Sequence, residues 1–208
     1  MFQEACDVYS ACKATVGAEG KYFGCGCFIS PRHVLTAYDL VEKPVQDGRN
    51  LEVLWRAGAF KAVPKFLEAA SGLALLEVTD AIQAKGKPAS KYPVLTQSLP
   101  KLGAQVGYLG WWRMSLNARD TQDTPYFGDA FISGYIDRIC PKFLLSTGFV
   151  QKGFAGSPVF NSEGHLLGVL VQVIEQLADG IEMASLPHRF PVMSPIAYHY
   201  KVVHESLW

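Results

Sequence analysis

The sequence is short of charge. Of its 208 residues only 18% are Asp, Glu, Lys or Arg, and the two signs balance to a formal net charge of zero. Such a chain lacks the low hydrophobicity and high net charge that keep a polypeptide unfolded. It also lacks the basic excess that marks binding to nucleic acid or anionic membranes, so neither partner is expected. No apolar run approaches the ~20 residues of a membrane-spanning helix. The opening stretch Met1–Tyr9 carries two acids and no apolar run, unlike a secretory signal. Cysteine is sparse: five residues cannot all pair within one chain, and their spacing matches neither a disulfide framework nor a zinc finger. We read them as reduced thiols and expect a cytoplasmic protein with no metal and no other cofactor.

What is present is a β texture. Hydrophobic residues make up 49% of the chain, in short apolar runs punctuated by Gly, Pro, Asn and Asp. Strands are expected at Lys21–Ser30, His33–Ala37, Leu51–Arg56, Phe60–Val63 and Leu73–Val78, then at Ala104–Leu109, Ala130–Asp137, Phe143–Thr147, Ser157–Asn161, His165–Val173 and Ile181–Ser185. Between the two sets, Asp80–Pro100 is rich in Lys, Pro, Ser and Gln and reads as a connection. We place a first β unit at residues 1–85, a linker at 86–100 and a second unit at 101–208. At the end, Ser194 and Pro195 read as an N-cap and a first-turn proline. Ile196, Tyr200, Val203 and Leu207 then recur at helical spacing, so a C-terminal helix of about three turns is expected. Many short strands in two sets suggest paired barrels or a sandwich, and periodicity does not choose between them.

Three segments carry more specific information. The first runs Gly24-Cys25-Gly26-Cys27-Phe28-Ile29-Ser30-Pro31-Arg32-His33-Val34-Leu35-Thr36-Ala37-Tyr38-Asp39-Leu40-Val41. The second is Ser71-Gly72-Leu73-Ala74-Leu75-Leu76-Glu77-Val78. The third is Gly153-Phe154-Ala155-Gly156-Ser157-Pro158-Val159-Phe160-Asn161-Ser162-Glu163-Gly164. In order and spacing they resemble three signatures of the trypsin-like serine proteases. These are the strand and turn ending in Val-Leu-Thr-Ala-x-His, the Asp-Leu-Ala-Leu-Leu-x-Val strand, and the Gly-x-Ser-Gly-Gly-Pro nucleophile loop. The resemblance extends over nearly the whole chain and is nearest to the compact bacterial type. It implies an all-β fold of two antiparallel six-stranded barrels with a C-terminal α-helix.

The departures from that pattern fall on the chemistry. The mechanism needs a hydroxyl nucleophile, an imidazole to take its proton and a carboxylate to orient the imidazole. By resemblance these positions hold Ala155, Asp39 and Gly72. A methyl group cannot attack a carbonyl, and a carboxylate is a far weaker base than imidazole. The resemblance therefore implies a non-catalytic homologue that binds a protein or peptide. The rival reading is a serine endopeptidase whose nucleophile was changed to Ala155 or whose catalytic groups are unorthodox. His33, six residues before Asp39, is expected as a surface histidine at a strand edge, and Ser157 is expected to point away from the cleft.

The backbone part of the site does not depend on side chains. By resemblance the amides of Gly153 and Ala155 form an oxyanion hole. The neighbouring pocket has Phe149 at its base and Leu170, Val171 and Gln172 along one wall, so it favours a small or apolar side chain or is simply filled. A second candidate surface comes from composition. Trp111, Trp112, Tyr126 and Phe127 combine aromatics beside Arg113, the residue types enriched at interface hot spots. Adjacent tryptophans on an extended stretch cannot both point inward, so either one is exposed or the long loop buries both.

Overall fold

The structure, a computed structural model, describes residues 3–55, 58–79, 91–115, 121–136, 142–147, 150, 153–174 and 190–207. Helix α1 (Gln3–Cys12) leads directly into β1 (Lys13–Ala18). There follow β2 (Lys21–Phe28), β3 (His33–Ala37), a single 3-10 turn at Tyr38–Leu40, the short α2 (Glu42–Gln46), β4 (Leu51–Trp55), β5 (Gly58–Glu68) and β6 (Leu73–Val78). The second half comprises β7 (Gln105–Ser115), β8 (Thr121–Ile136), β9 (Lys142–Ser146), β10 (Pro158–Phe160), β11 (Leu166–Ile174) and β12 (Phe190–Pro195). It ends in a 3-10 turn (Ile196–His199) and α3 (Tyr200–Glu205).

The strands close into two antiparallel barrels of six. The first is ordered β1-β2-β3-β6-β5-β4 and the second β7-β8-β9-β12-β11-β10, which is the same connectivity repeated. This is the paired-barrel fold expected from the sequence. The alternation of Leu51, Val53 and Trp55 inward with Glu52 and Leu54 half-buried follows the period-two rule for a barrel wall. By contrast β3 and nearly all of β6 are buried along their length. They lie where the barrels meet and are covered on both sides.

One buried cluster runs through both barrels. It joins Val34, Leu35, Leu73 and Leu75 of the first to Leu109, Trp111, Phe160, Val169 and Val171 of the second. A second cluster, including Tyr108, Leu145, Phe154 and Met193, fills the interior of barrel two. Helix α1 belongs to the shared cluster. Ala5, Tyr9 and Cys12 form one buried face, Tyr9 stacks on Phe160 with ring centroids 4.3 Å apart, and its hydroxyl donates to the Gly164 carbonyl at 3.1 Å.

Several boundaries differ from expectation. Helix α1, β1 and β12 were not foreseen, since their apolar residues are short runs with no flanking signal. The terminal helix starts later than expected: Ser194 and Pro195 complete β12, Pro195 caps the 3-10 turn without a side-chain bond, and regular helix begins at Tyr200. The expected strand Ile181–Ser185 lies outside the described residues, as do 80–90 of the connection. Residues 91–100 contain a single parallel bridge, Leu95 to Leu166. No helix among the described residues is long and apolar enough to cross a membrane.

Candidate functional site

The three positions singled out by the sequence come together at the seam between the barrels. Asp39 lies, exposed, in the 3-10 turn that follows β3. The amide of its neighbour Tyr38 donates to the Gly72 carbonyl at 2.7 Å. On the other side, the Ala155 carbonyl accepts from the Cys25 amide of β2 at 2.7 Å. A Cβ added to Gly24 would lie 2.7 Å from Leu40 and 2.8 Å from the Ala155 carbonyl oxygen. Residue 155 therefore packs against the strand that Leu40, next to Asp39, also covers.

Gly72 makes the contact across the seam. Its φ is +76°, in the left-handed region, and a Cβ there would meet Val171 at 3.3 Å. Val171 sits at a register shift in the pairing of β11 with β12, between Leu170↔Met193 and Gln172↔Val192. The bulge turns this residue toward the first barrel.

The loop 153–156 is held mostly by backbone. The Gly156 amide donates to the Leu170 carbonyl at 2.7 Å, Ser157 to Phe154 at 3.0 Å, and Leu170 to Ser157 at 2.9 Å. Gly156 has φ +83°, and a side chain there would run into the Cys25 carbonyl, which already accepts from Thr36 Oγ1 at 2.6 Å. Cys25 also aims its thiol at the Gly153 carbonyl, 3.2 Å away, and at the Trp111 carbonyl at 3.5 Å. Among the described residues no group accepts from the Gly153 or Ala155 amide. At this loop the described residues offer backbone N–H groups and the Ala155 methyl rather than a hydroxyl nucleophile.

The profile of the trypsin-like peptidase domain matches residues 24–169. The chain belongs to this family. Solved structures agree in fold. The serine endoprotease of Yersinia pestis superposes with a TM-score of 0.69 at 16% identity, covering 100% of this chain and 66% of that one. Deg5 gives 0.66 at 17%, covering 95% and 90%. The protein Rv3671c of M. tuberculosis, a serine-to-alanine mutant in its inactive form, gives 0.65 at 18%, covering 97% and 91%. No curated protein matches the chain in sequence.

Other candidates in this trypsin-like chain are placed as follows. Leu170 and Val171 are buried at 2% and 6% exposure, while Gln172 is exposed. Phe149 lies outside the described residues, as does the side chain of Trp112. Trp111 does not offer a surface. It is 3% exposed, its Nε1–H donates to Thr15 Oγ1 at 3.1 Å across the seam, and Lys13 lies 5.9 Å from its ring centroid. As a partner anchor it is corrected to an inter-barrel tie. Tyr126 and Phe127 are half-buried against Phe154 and Phe160 respectively. Ser157 is fully buried and its hydroxyl has no partner among the described residues.

His33 is also corrected: it is 7% exposed. Burial lowers its pKa, against the pull of Glu77. Around Asp39 the surroundings are acidic. Tyr38 donates to Glu42 at 3.2 Å. Loss of hydration, the Glu42 bond and the charges of Glu42, Asp39 and Glu68 together raise the Tyr38 pKa. Among the described residues no three His, Cys, Asp or Glu side chains converge as a metal site would require.

Proposed function

We propose that this member of the trypsin-like peptidase family is a catalytically inactive, cytoplasmic homologue that binds a protein or peptide in the seam between its barrels. The observation that carries the reading is the loop 153–156. Its backbone amides at Gly153 and Ala155 have no acceptor among the described residues, while Asp39, Gly72 and Ala155 supply neither an imidazole, nor its carboxylate, nor a hydroxyl. Family substrates dock as an added strand, with main-chain bonds giving affinity and side-chain pockets giving choice, and neither needs a nucleophile. The charges of Glu42, Asp39 and Glu68 all act on Tyr38, and this negative charge beside Asp39 favours a basic segment and makes binding weaken with salt.

The test combines activity and binding. Peptide esters are not turned over, and Ala155→Ser alone restores little, because triad groups act as a unit. Extended basic peptides bind by calorimetry without being cleaved, and Ala155→Arg blocks them. Cleavage by the unaltered chain sinks the reading, and so does undiminished peptide binding by a folded Ala155→Arg variant.

A further inference from the structure

A second hydroxyl–imidazole pair lies outside the seam, in the turn between β2 and β3. Ser30 Oγ is 2.7 Å from His33 Nδ1. The same oxygen accepts from the backbone amides of Arg32 at 3.3 Å and His33 at 3.1 Å. With two N–H donors on its lone pairs, the hydroxyl must spend its own proton on Nδ1. That fixes the imidazole as the tautomer with hydrogen on Nε2. The distance is that of a nucleophile and its base. The two amides point at the oxygen that would carry negative charge once the proton leaves.

The surroundings supply the rest. Across the β3–β6 ladder His33 stands opposite Glu77. Glu77 is bridged by Lys65 Nζ at 2.8 Å and by Arg32 at 3.1 Å. Two cations and one carboxylate leave a local charge of plus one beside Ser30. Burial and those cations lower the His33 pKa, outweighing Glu77, so the imidazole is neutral and able to accept a proton at neutral pH. Ser30 is half-buried, and the side chains of Arg32 and Lys65 are 54% and 44% exposed, so a small anionic reagent reaches the turn.

We propose that Ser30 is a His33-activated acyl acceptor for small donors with an anionic leaving group, such as acyl phosphates. Ser30 Oγ gives up the longer, 3.3 Å contact from the Arg32 amide, forms a bond to the acyl carbon with that lone pair, and passes its proton to His33 Nδ1. The bond from that carbon to the leaving oxygen breaks, with its electron pair departing on the phosphate. The imidazolium then returns the proton to the phosphate or to water. Nothing is oxidised or reduced, and the product is an O-acyl serine. Arg32 and Lys65 hold the phosphate.

The experiment treats the full chain with acetyl phosphate and, in parallel, with the uncharged ester p-nitrophenyl acetate, then maps acetyl groups by peptide mass spectrometry. One acetyl is expected on Ser30. Its rate should rise with pH through the His33 titration and fall on the order of 100-fold in His33→Gln, the usual contribution of a positioned base. Compared at a pH above the His33 titration, Lys65→Gln should slow acetyl phosphate several-fold more than p-nitrophenyl acetate. Ser30→Asn keeps an acceptor for the two turn amides but has no hydroxyl, and should show no label in the turn. Acetylation confined to lysines, or a Ser30 rate equal to that of other exposed serines, overturns the proposal. So does a rate that His33→Gln leaves unchanged.

Discussion

Gly72 is the position where rebuilding a protease site should fail for reasons of backbone. Consider Gly72→Asp, the change that restores the family's carboxylate. The residue sits at φ +76°, and a side chain in the left-handed region costs about 1–2 kcal/mol, with Asp at the milder end. The new Cβ would also stand 3.3 Å from Val171 Cβ and Cγ1, so β11 must give way by a few tenths of an ångström. We expect a loss of about 2 kcal/mol for Gly72→Ala and about 1 kcal/mol for Gly72→Asp, read by urea unfolding. At about 2–4 °C per kcal/mol for a chain of this size, the melting temperature falls by about 2–8 °C. A double-mutant cycle with Val171→Ala separates contact from conformation: the contact part couples, the backbone part does not. Stability of Gly72→Ala equal to the parent would refute the argument. If the argument holds, a triple variant with Asp39→His, Gly72→Asp and Ala155→Ser still presents its carboxylate from a strained turn.

Further expectations follow from other sites. Trp111→Phe strands Thr15 Oγ1 in the seam and should cost about 1–3 kcal/mol in chemical denaturation; a neutral effect would remove the tie described above. Burial depresses both His33 and His199. Their folded pKa values therefore lie below the ordinary value of about 6.5, and the stability they contribute is present above that pH and is lost as pH falls through the folded values. Melting temperature should drop on acidification from neutral pH, and His33→Gln with His199→Gln should flatten the slope. Burial pushes the Cys12 thiol to about 12 and Cys27 well above its ordinary range. A thiol reagent should modify half-buried Cys6 before either of them in the native protein, and equal rates would contradict the burial.

The paired barrels were legible because the three family segments lie on β2–β3, β6 and the loop before β10, which are the parts that meet at the seam. His33–Ala37 and Leu73–Val78 match their strands residue for residue, since each is a β-branched or leucine-rich run closed by a turn. Helix α1 was not legible. Among its described side chains the buried ones are Ala5, Tyr9 and Cys12, and Tyr9 stacks on the ring of Phe160, 151 residues away. Composition also misjudged Trp111. Aromatics beside Arg describe an interface, and the interface proved to be internal, between one barrel and the other. His33 reads as polar and peripheral in sequence, yet the Ser30 hydroxyl gives it a partner that makes burial tolerable.

The shared cluster makes the two barrels poor candidates for separate lives. Helix α1 travels with the first half of the chain but lays Tyr9 on Phe160 and against Gly164 in the second. Cut between the barrels, each piece would carry half of a continuous oily surface, with Leu35 and Leu75 uncovered on one side and Val169 and Val171 on the other. Each piece alone is expected to aggregate through that surface, while the two together carry complementary faces and a helical clasp. The molecule is in effect a pair of complementary halves, a property suited to fragment-complementation reporters.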